Sequence, residues 1–404
     1  MRTTLMIAAG LRSAALGLTG VLLGLHLAQL GVPVQTLGLV IGVGLAGMAT
    51  GTTVVALRGD HWGKRRTLAV TASLAGGGLA TVALGNSTGV LLAAAFVGMV
   101  NGMGRDRGPA EVLEQSMLAE RVTDRDRTGA FARYALVQDV AGALGALAAG
   151  VPALIGSRVG VAPLVAFRWS LVGGAMLMLA TVPLYLGLPA DPRRSGDTRR
   201  AWWSVPLSPV AKRRVGGLAG LFAVDSLGGG FLAGSIITYW FFRRFGLGAE
   251  VLGPVFFVAK ILNALSYVAA ERLALRIGLI RTMVFTHLPS SLALCALPFI
   301  PSVWPAVALF LAREALVQMD VPTRQSYIAA VAAPSERTFA LGVTGLVRNL
   351  GWAVGPTLAG LAMVGFGLGA PLLLGAGLKI TYDLSLFAGF RNLRPPEETP
   401  ATTA

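Results

Sequence analysis

Residues 104–150 read GRDRGPAEVLEQSMLAERVTDRDRTGAFARYALVQDVAGALGALAAG, and the stretch returns without a gap when the chain is slid by about 210 positions. Gln115 and Ser116 fall on Gln325 and Ser326, and Arg127 and Thr128 on Arg337 and Thr338. Leu136 and Val137 fall on Leu346 and Val347, Gly145 on Gly355, and Ala149 and Gly150 on Ala359 and Gly360. About a third of some 36 positions are identical. Ala, Gly and Leu match cheaply, so the weight rests on the Gln-Ser and Arg-Thr pairs held in one register. Internal repeats set the architecture of a chain. One copy in each half of an apolar chain reads as two similarly oriented halves of one membrane protein, the internal symmetry of a secondary transporter.

Composition agrees. Of 404 residues, 54% are hydrophobic and only 13% charged, where soluble domains carry about 25% charged residues. The mean hydropathy is +0.68. Fifty-three glycines suit helices that pack closely through small residues. The one cysteine, Cys295, excludes a disulfide framework or a multi-cysteine metal site. The net charge of +15 raises the question of nucleic acid, but the basic residues collect in alternate short loops, as a membrane topology signal does. No secretory signal peptide is read, and the first apolar run serves as an uncleaved first helix.

A spanning helix needs about 20 mostly apolar residues. That rule predicts twelve, near 9–30, 34–57, 67–86, 89–118, 130–155, 161–188, 215–241, 251–275, 280–299, 303–328, 338–363 and 367–389. The fourth is interrupted by Gly104, Gly108 and Pro109, a break tolerated where neighbours or water satisfy the freed backbone. Arg58, Lys64, Arg65 and Arg66 follow the second helix, and Arg121, Arg125 and Arg127 the fourth. Further basic groups follow the sixth, eighth, tenth and last; the loops around Arg158 and Arg243–Arg244 are the exceptions. The positive-inside bias then puts both termini in the cytoplasm.

Between the second and third helices the chain reads ALRGDHWGKRR, residues 56–66. This resembles the signature loop of the major facilitator superfamily: Gly, three residues, Asp, a basic residue, one residue, Gly, two basic residues. Asp60, Gly63, Lys64 and Arg65 stand in register, while Ala56 and His61 replace the expected Gly and Arg. A weaker echo, RIGLIRT with Gly278 and Arg281, lies between helices eight and nine. Gly63 permits a tight turn, and the basic run suits the inner leaflet. The resemblance implies that Asp60 stabilises a state closed to the cytoplasm; a basic loop that only sets topology is the plainer alternative. It also implies an all-α fold of twelve helices in two pseudo-symmetric six-helix bundles, residues 1–189 and 215–392. Residues 190–214, polar, basic and proline-containing, read as the linker between them, and 393–404 as a disordered tail.

An ionisable residue at bilayer depth costs about 2.5–3.5 kcal/mol on insertion scales and is a functional hypothesis by default. Arg105, Asp106 and Arg107 fall near the middle of helix four, with Arg107, Glu111 and Glu114 on one expected stripe. Helix ten carries Arg313, Glu314, Asp320 and Arg324, the last two one turn apart. Two readings stay open: structural ion pairs, Arg107–Glu111 and Asp320–Arg324, or a central cavity that handles solute and proton. The repeat sets Glu114 against Arg324, opposite charges at equivalent positions, which predicts a pairing that exchanges as the protein alternates. Asp225 in FAVDSLGGGF, unless paired, would hold its proton among apolar neighbours and is the proton-carrier candidate, with Lys260 its expected partner; a purely structural Asp225–Lys260 bridge is the equal alternative. Arg12, Asp139, Arg168 and Arg348 are further candidates, Arg12 and Arg168 being able instead to snorkel or pack at a helix end.

The substrate and proton pathway expected from the sequence is therefore Arg105, Asp106, Arg107, Glu111, Asp225, Lys260, Arg313, Glu314 and Arg348. The cytoplasmic gate is Asp60, Gly63, Lys64, Arg65, Glu114, Asp320 and Arg324. The leading reading is a proton-coupled secondary transporter of a small solute in a bacterial inner membrane, acting as a monomer. The arginine-rich interior points to an anionic solute, with a cationic or amphipathic one left open by the acidic residues beside it. In the family it resembles, a Gly-Pro pattern on helix five accompanies antiport, so the pattern GWAVGPTLAG from Gly351, here on helix eleven, tips direction toward export, close packing of small residues being the ordinary alternative. A uniporter and a non-transporting sensor on the same scaffold are the alternatives. His26, His61 and His287 are scattered, and no Gly-x-Ser-x-Gly, His-Glu-x-x-His or phosphate-loop pattern occurs, so neither an enzyme nor ATP drive is expected, and no cofactor.

Overall fold

A computed structural model of the chain describes residues 1–120, 122, 124–189, 209–320, 324 and 337–390. For Asp60, 124–125, 127–128, 209–214, 337–339 and 341 only the backbone is described. The tail from 391, most of the linker, and Gln325 and Ser326 of the repeat lie outside the described residues, as does the Asp60 side chain.

Among the described residues the chain is all-α. The first part runs through α1 (Arg2–Gln29), α2 (Val34–Trp62), α3 (Lys64–Leu84), α4 (Thr88–Val97), α5 (Pro109–Ala119), α6 (Asp124–Ala148), α7 (Val151–Val159), α8 (Pro163–Leu179) and α9 (Thr181–Leu186). The second runs through α10 (Pro209–Phe231), α11 (Gly234–Phe245), α12 (Ala249–Ile277), α13 (Leu279–Ala296), α14 (Val303–Val317), α15 (Arg337–Phe366) and α16 (Ala370–Phe390). Ten helical segments among the described residues are long and apolar enough to cross a membrane. Their outward faces carry Leu275 and Phe366, both 84% exposed, and Trp169, 70% exposed. Such apolar surface suits lipid rather than water.

The two expected spans missing from the ten, 89–118 and 303–328, both overlap the repeated stretch. The first is corrected: α4 stops at Val97, the chain is non-helical over 98–108, and α5 begins at Pro109. The physical reason is local. Met99 has φ +52 and Gly104 φ +77, and proline at the first helical position starts a helix readily but cannot continue one. Of the second, α14 ends at Val317, and 321–323 and 325–328 lie outside the described residues.

Two compact units are distinguished: Met1–Gly196 with Leu232–Ile261 and Ala353–Pro371, and Asp197–Phe231 with Leu262–Trp352 and Leu372–Ala404. In the first, α1 is the central helix, packed on α6, α8 and α11. Its approach to α6 depends on small residues: a methyl group on Gly17 would strike the Gly142 carbonyl, and one on Gly145 the Ala14 carbonyl. In the second unit, Val215, Leu218, Phe222, Met283, Tyr382 and Leu386 form the apolar core. The Gly63 turn between α2 and α3 has φ +83, and Gly278 between α12 and α13 has φ +86, so the motif and its echo adopt the same left-handed corner. There the lack of a side chain is required.

Candidate functional site: two buried charge clusters

Within the non-helical stretch 98–108, several freed backbone groups find specific partners. Asn101 is the internal brace: its side-chain oxygen accepts from the Met103 N–H at 2.8 Å, and its amide donates to the Arg105 carbonyl at 2.5 Å. The Ser235 N–H donates to the Gly102 carbonyl at 2.9 Å, and Asp106 accepts from the Gly108 N–H at 3.2 Å. The Lys260 ammonium donates to the Gly104 carbonyl at 2.6 Å. Arg105, Asp106 and Arg107 lie in this stretch rather than within a helix, so the expected stripe with Glu111 and Glu114 begins only at α5. Glu111 sits in the first turn of α5 and accepts from Gln115 at 3.1 Å.

The first cluster centres on Arg12 of α1, which is buried and does not snorkel. Its Nε donates to Asp106. Its Nη1 and Nη2 grip Glu114 of α5 at 2.9 and 2.8 Å, the two-pronged geometry in which a guanidinium matches a carboxylate best. Tyr185 of α9 accepts from Arg12 at 2.6 Å and donates to Glu114 at 2.6 Å; Tyr134 of α6 donates to Glu114 at 2.5 Å. Gln138 reaches Asp106 at 3.5 Å. Glu114, fully buried, thus has each oxygen doubly bonded. A cleft beside the cluster, about 480 Å³ with its open mouth counted, is lined by Arg12, Asp106, Asn101, Met48, Met99 and Met178 among others.

The second cluster centres on Asp225 of α10. One oxygen accepts from Arg348 of α15 at 3.1 Å and from Arg324 at 3.5 Å; the other accepts from Lys379 of α16 at 2.9 Å. Arg324 also donates to Asp320 at 2.5 Å, the expected pair one turn apart. His287 of α13 bonds Asp383 through Nδ1 at 2.9 Å, and its Nε2 lies 3.4 Å from the Lys379 ammonium. Arg348 stacks on the Trp352 ring at 4.7 Å and lies 5.9 Å from the Phe222 ring. Three cations and three carboxylates are buried together, so their charges offset without counting His287, which suits a low-dielectric setting.

Arg313 and Glu314 of α14 form an adjacent pair, with Asn263 of α12 donating to Glu314 at 2.9 Å. Glu114 is engaged wholly within the first cluster and Arg324 within the second, so the proposed exchange between them requires each to leave these partners. Lys64 at the start of α3 donates to Ser116 at 3.0 Å and Glu120 at 2.6 Å on α5 and its end, while Arg65 reaches the Leu188 carbonyl at 3.4 Å. Arg168 donates to Asn86, and Asp139 lies half-buried on α6.

Sequence reasoning did not single out Lys379, Asp383, Tyr134 or Tyr185, and it dismissed His287 as scattered. One signal was available. Lys379 and Asp383 are four residues apart in an otherwise apolar span, Ala370–Phe390, where ionisable residues are expensive.

Comparison with known proteins bears on the whole chain. The sequence model described as Major Facilitator Superfamily matches residues 5–317 and 272–404. A membrane protein of Saccharomyces cerevisiae, described as uncharacterized, is 26% identical over 94% of this chain and 92% of its own length. Among solved structures, the nucleoside transporter NupG is similar with a TM-score of 0.75 at 13% identity, covering 96% of this chain and 98% of that one. A D-xylose–proton symporter is similar with a TM-score of 0.71 at 16% identity, covering 95% and 97%. Identities that low speak for the fold alone. With the family match running from residue 5 to the end, this multi-pass membrane protein belongs to the Major Facilitator Superfamily.

Proposed function

We propose that the protein is a secondary active transporter that moves a small solute by alternating access and draws on protons. The observation that carries this reading is the pair of buried clusters, Arg12–Asp106–Glu114 and Asp225–Arg324–Arg348–Lys379. Each holds a carboxylate among exchangeable donors, the arrangement in which a proton or a charged solute can replace an internal partner. Breaking a buried pair by removing one member costs about 3–5 kcal/mol. A solute that substitutes for the lost member recovers much of that, which is how binding can drive a change of state.

The proposed pathway comprises Arg105, Asp106, Arg107, Glu111, Asp225, Lys260, Arg313, Glu314 and Arg348. The proposed cytoplasmic gate comprises Asp60, Gly63, Lys64, Arg65, Glu114, Asp320 and Arg324. An anionic solute enters this scheme by competing with Asp225 for Arg348. We favour export on the Gly-Pro pattern after Gly351, twelve spans in two six-helix halves, and a monomer in a bacterial inner membrane with both termini cytoplasmic.

The test is proton flux in liposomes holding the purified protein, with a pH dye inside and a panel of nucleosides, pentoses and organic anions outside. Wild type is compared with Asp225→Asn and Arg313→Ala. A solute-triggered pH change, lost in either variant, is expected. Solute movement that survives both changes with no pH response would favour a uniporter and overturn proton coupling.

A further inference from the structure

The two oxygens of Asp225 are held differently. Oδ2 faces the two arginines, while Oδ1 faces Lys379 Nζ at 2.9 Å and His287 Nε2 at 4.0 Å. The ammonium sits between the carboxylate and the imidazole, 3.4 Å from Nε2. On the other side of the ring, Nδ1 meets both oxygens of Asp383, at 2.9 and 3.0 Å. A carboxylate only accepts, so Nδ1 carries the ring hydrogen, and a neutral ring offers its Nε2 lone pair to the Lys379 ammonium. Both His287 and Asp383 are almost wholly buried, 2% and 0% exposed.

We propose that His287 Nε2 is the proton-binding site of this cluster and that a proton bound there and the Lys379 ammonium exclude one another at Asp225 Oδ1. This rests on the proton-coupled reading above and replaces Asp225 as the proton carrier. Asp225 already accepts from three cations, two at Oδ2 and one at Oδ1. In the exchange, a hydronium ion gives its proton to the Nε2 lone pair, leaving water and an imidazolium. Lys379 keeps its three protons, loses Nε2 as an acceptor, and is repelled by a like charge at hydrogen-bond distance. The new Nε2–H is then the donor left facing Oδ1. Asp383 keeps its contact with Nδ1 and holds the imidazolium from behind.

Each charged or titratable neighbour found among the described residues has a defined part. Asp225 on α10 and Asp383 on α16 favour the added proton, while Lys379 on α16 opposes it. Arg324 and Arg348 occupy the other Asp225 oxygen, Asp320 offsets Arg324, and Tyr382 packs its ring edge-on to His287 at 6.1 Å.

Nitrogen-15 magnetic resonance of the full chain in lipid nanodiscs tests this directly, because the chain has only three histidines. His287→Gln assigns the signal, which is followed from about pH 5 to 8, the range in which histidine changes charge. A single-proton titration at Nε2 is expected, with the Lys379 ammonium signal shifting in step. Lys379→Met should tighten proton binding at His287 at least tenfold, and Asp383→Asn should weaken it at least tenfold. Lys379→Met leaves Asp225 paired to both arginines, so folding should survive. An unmoved or weakened titration in Lys379→Met would overturn the proposal. So would a wild-type titration with no change at Lys379, a result that needs no variant. A His287 titration that obeys these signs in a protein with no proton-coupled flux would instead reject the transport reading and leave the exchange standing.

Discussion

Replacing Glu114 by leucine removes the carboxylate on which three donors converge, and the loss can be worked from the geometry. Arg12 gives up a two-pronged contact at 2.9 and 2.8 Å, and Tyr134 and Tyr185 lose acceptors at 2.5 and 2.6 Å. What remains is a buried guanidinium whose other carboxylate is Asp106. Removing one member of a buried pair costs about 3–5 kcal/mol. With an unfolding entropy of about 2.1 cal/mol/K per residue, a chain of this length has about 0.85 kcal/mol per kelvin, so the loss is about 4–6 °C in the melting midpoint. Arg12→Met should lose a similar amount, since Glu114 and Asp106 then lie buried without their cation. The double variant discriminates. If the network acts as a unit, its loss falls short of the sum of the singles by a coupling of about 2–3 kcal/mol. The assay is the midpoint of thermal unfolding for wild type, both singles and the double, in one detergent. Additive losses would refute the claim that Arg12 and Glu114 are energetically joined.

Three other substitutions follow from the backbone. Lys260→Met removes the charged donor on the Gly104 carbonyl, a contact worth about 1.5–3 kcal/mol, so amide exchange over 98–108 should speed up about tenfold or more; unchanged exchange would mean that Lys260 does not brace the break. Gly63→Ala meets open space but must adopt φ +83, a sparsely populated conformation that costs about 1–3 kcal/mol, whereas Gly77→Ala, also in open space but inside α3, should stabilise by about 0.5–1 kcal/mol. Melting midpoints that move in the same direction would count against strain at the Gly63 corner.

Class and fold were legible in the sequence because a bilayer demands something simple: long apolar runs, with backbone polarity satisfied inside each run. Glycine-bearing corners at Gly63 and Gly278 were legible for a related reason, since the conformation needed there excludes most side chains. The ion pair Asp320–Arg324 was readable as well, because one helical turn brings such residues together. Even the fourth span announced its break through Gly104, Gly108 and Pro109, although its extent, 98–108, depended on Asn101, Ser235 and Lys260 being at hand to take up the freed groups.

Which charge answers which was decided by the tertiary structure. Asp225 and Lys379 are 154 residues apart, Arg12 and Glu114 102 apart, and His287 and Asp383 96 apart. Sequence spacing carries no distance across separate helices. The Lys260 ammonium lies on a carbonyl freed by a broken helix, and Asp225 is met by cations from α15 and α16 and by Arg324. The sequence determined that this chain would bury ionisable groups in lipid-facing helices. Only packing determined their partners, because the cost of burying a charge is relieved by whichever opposite group the fold brings within about 3 Å.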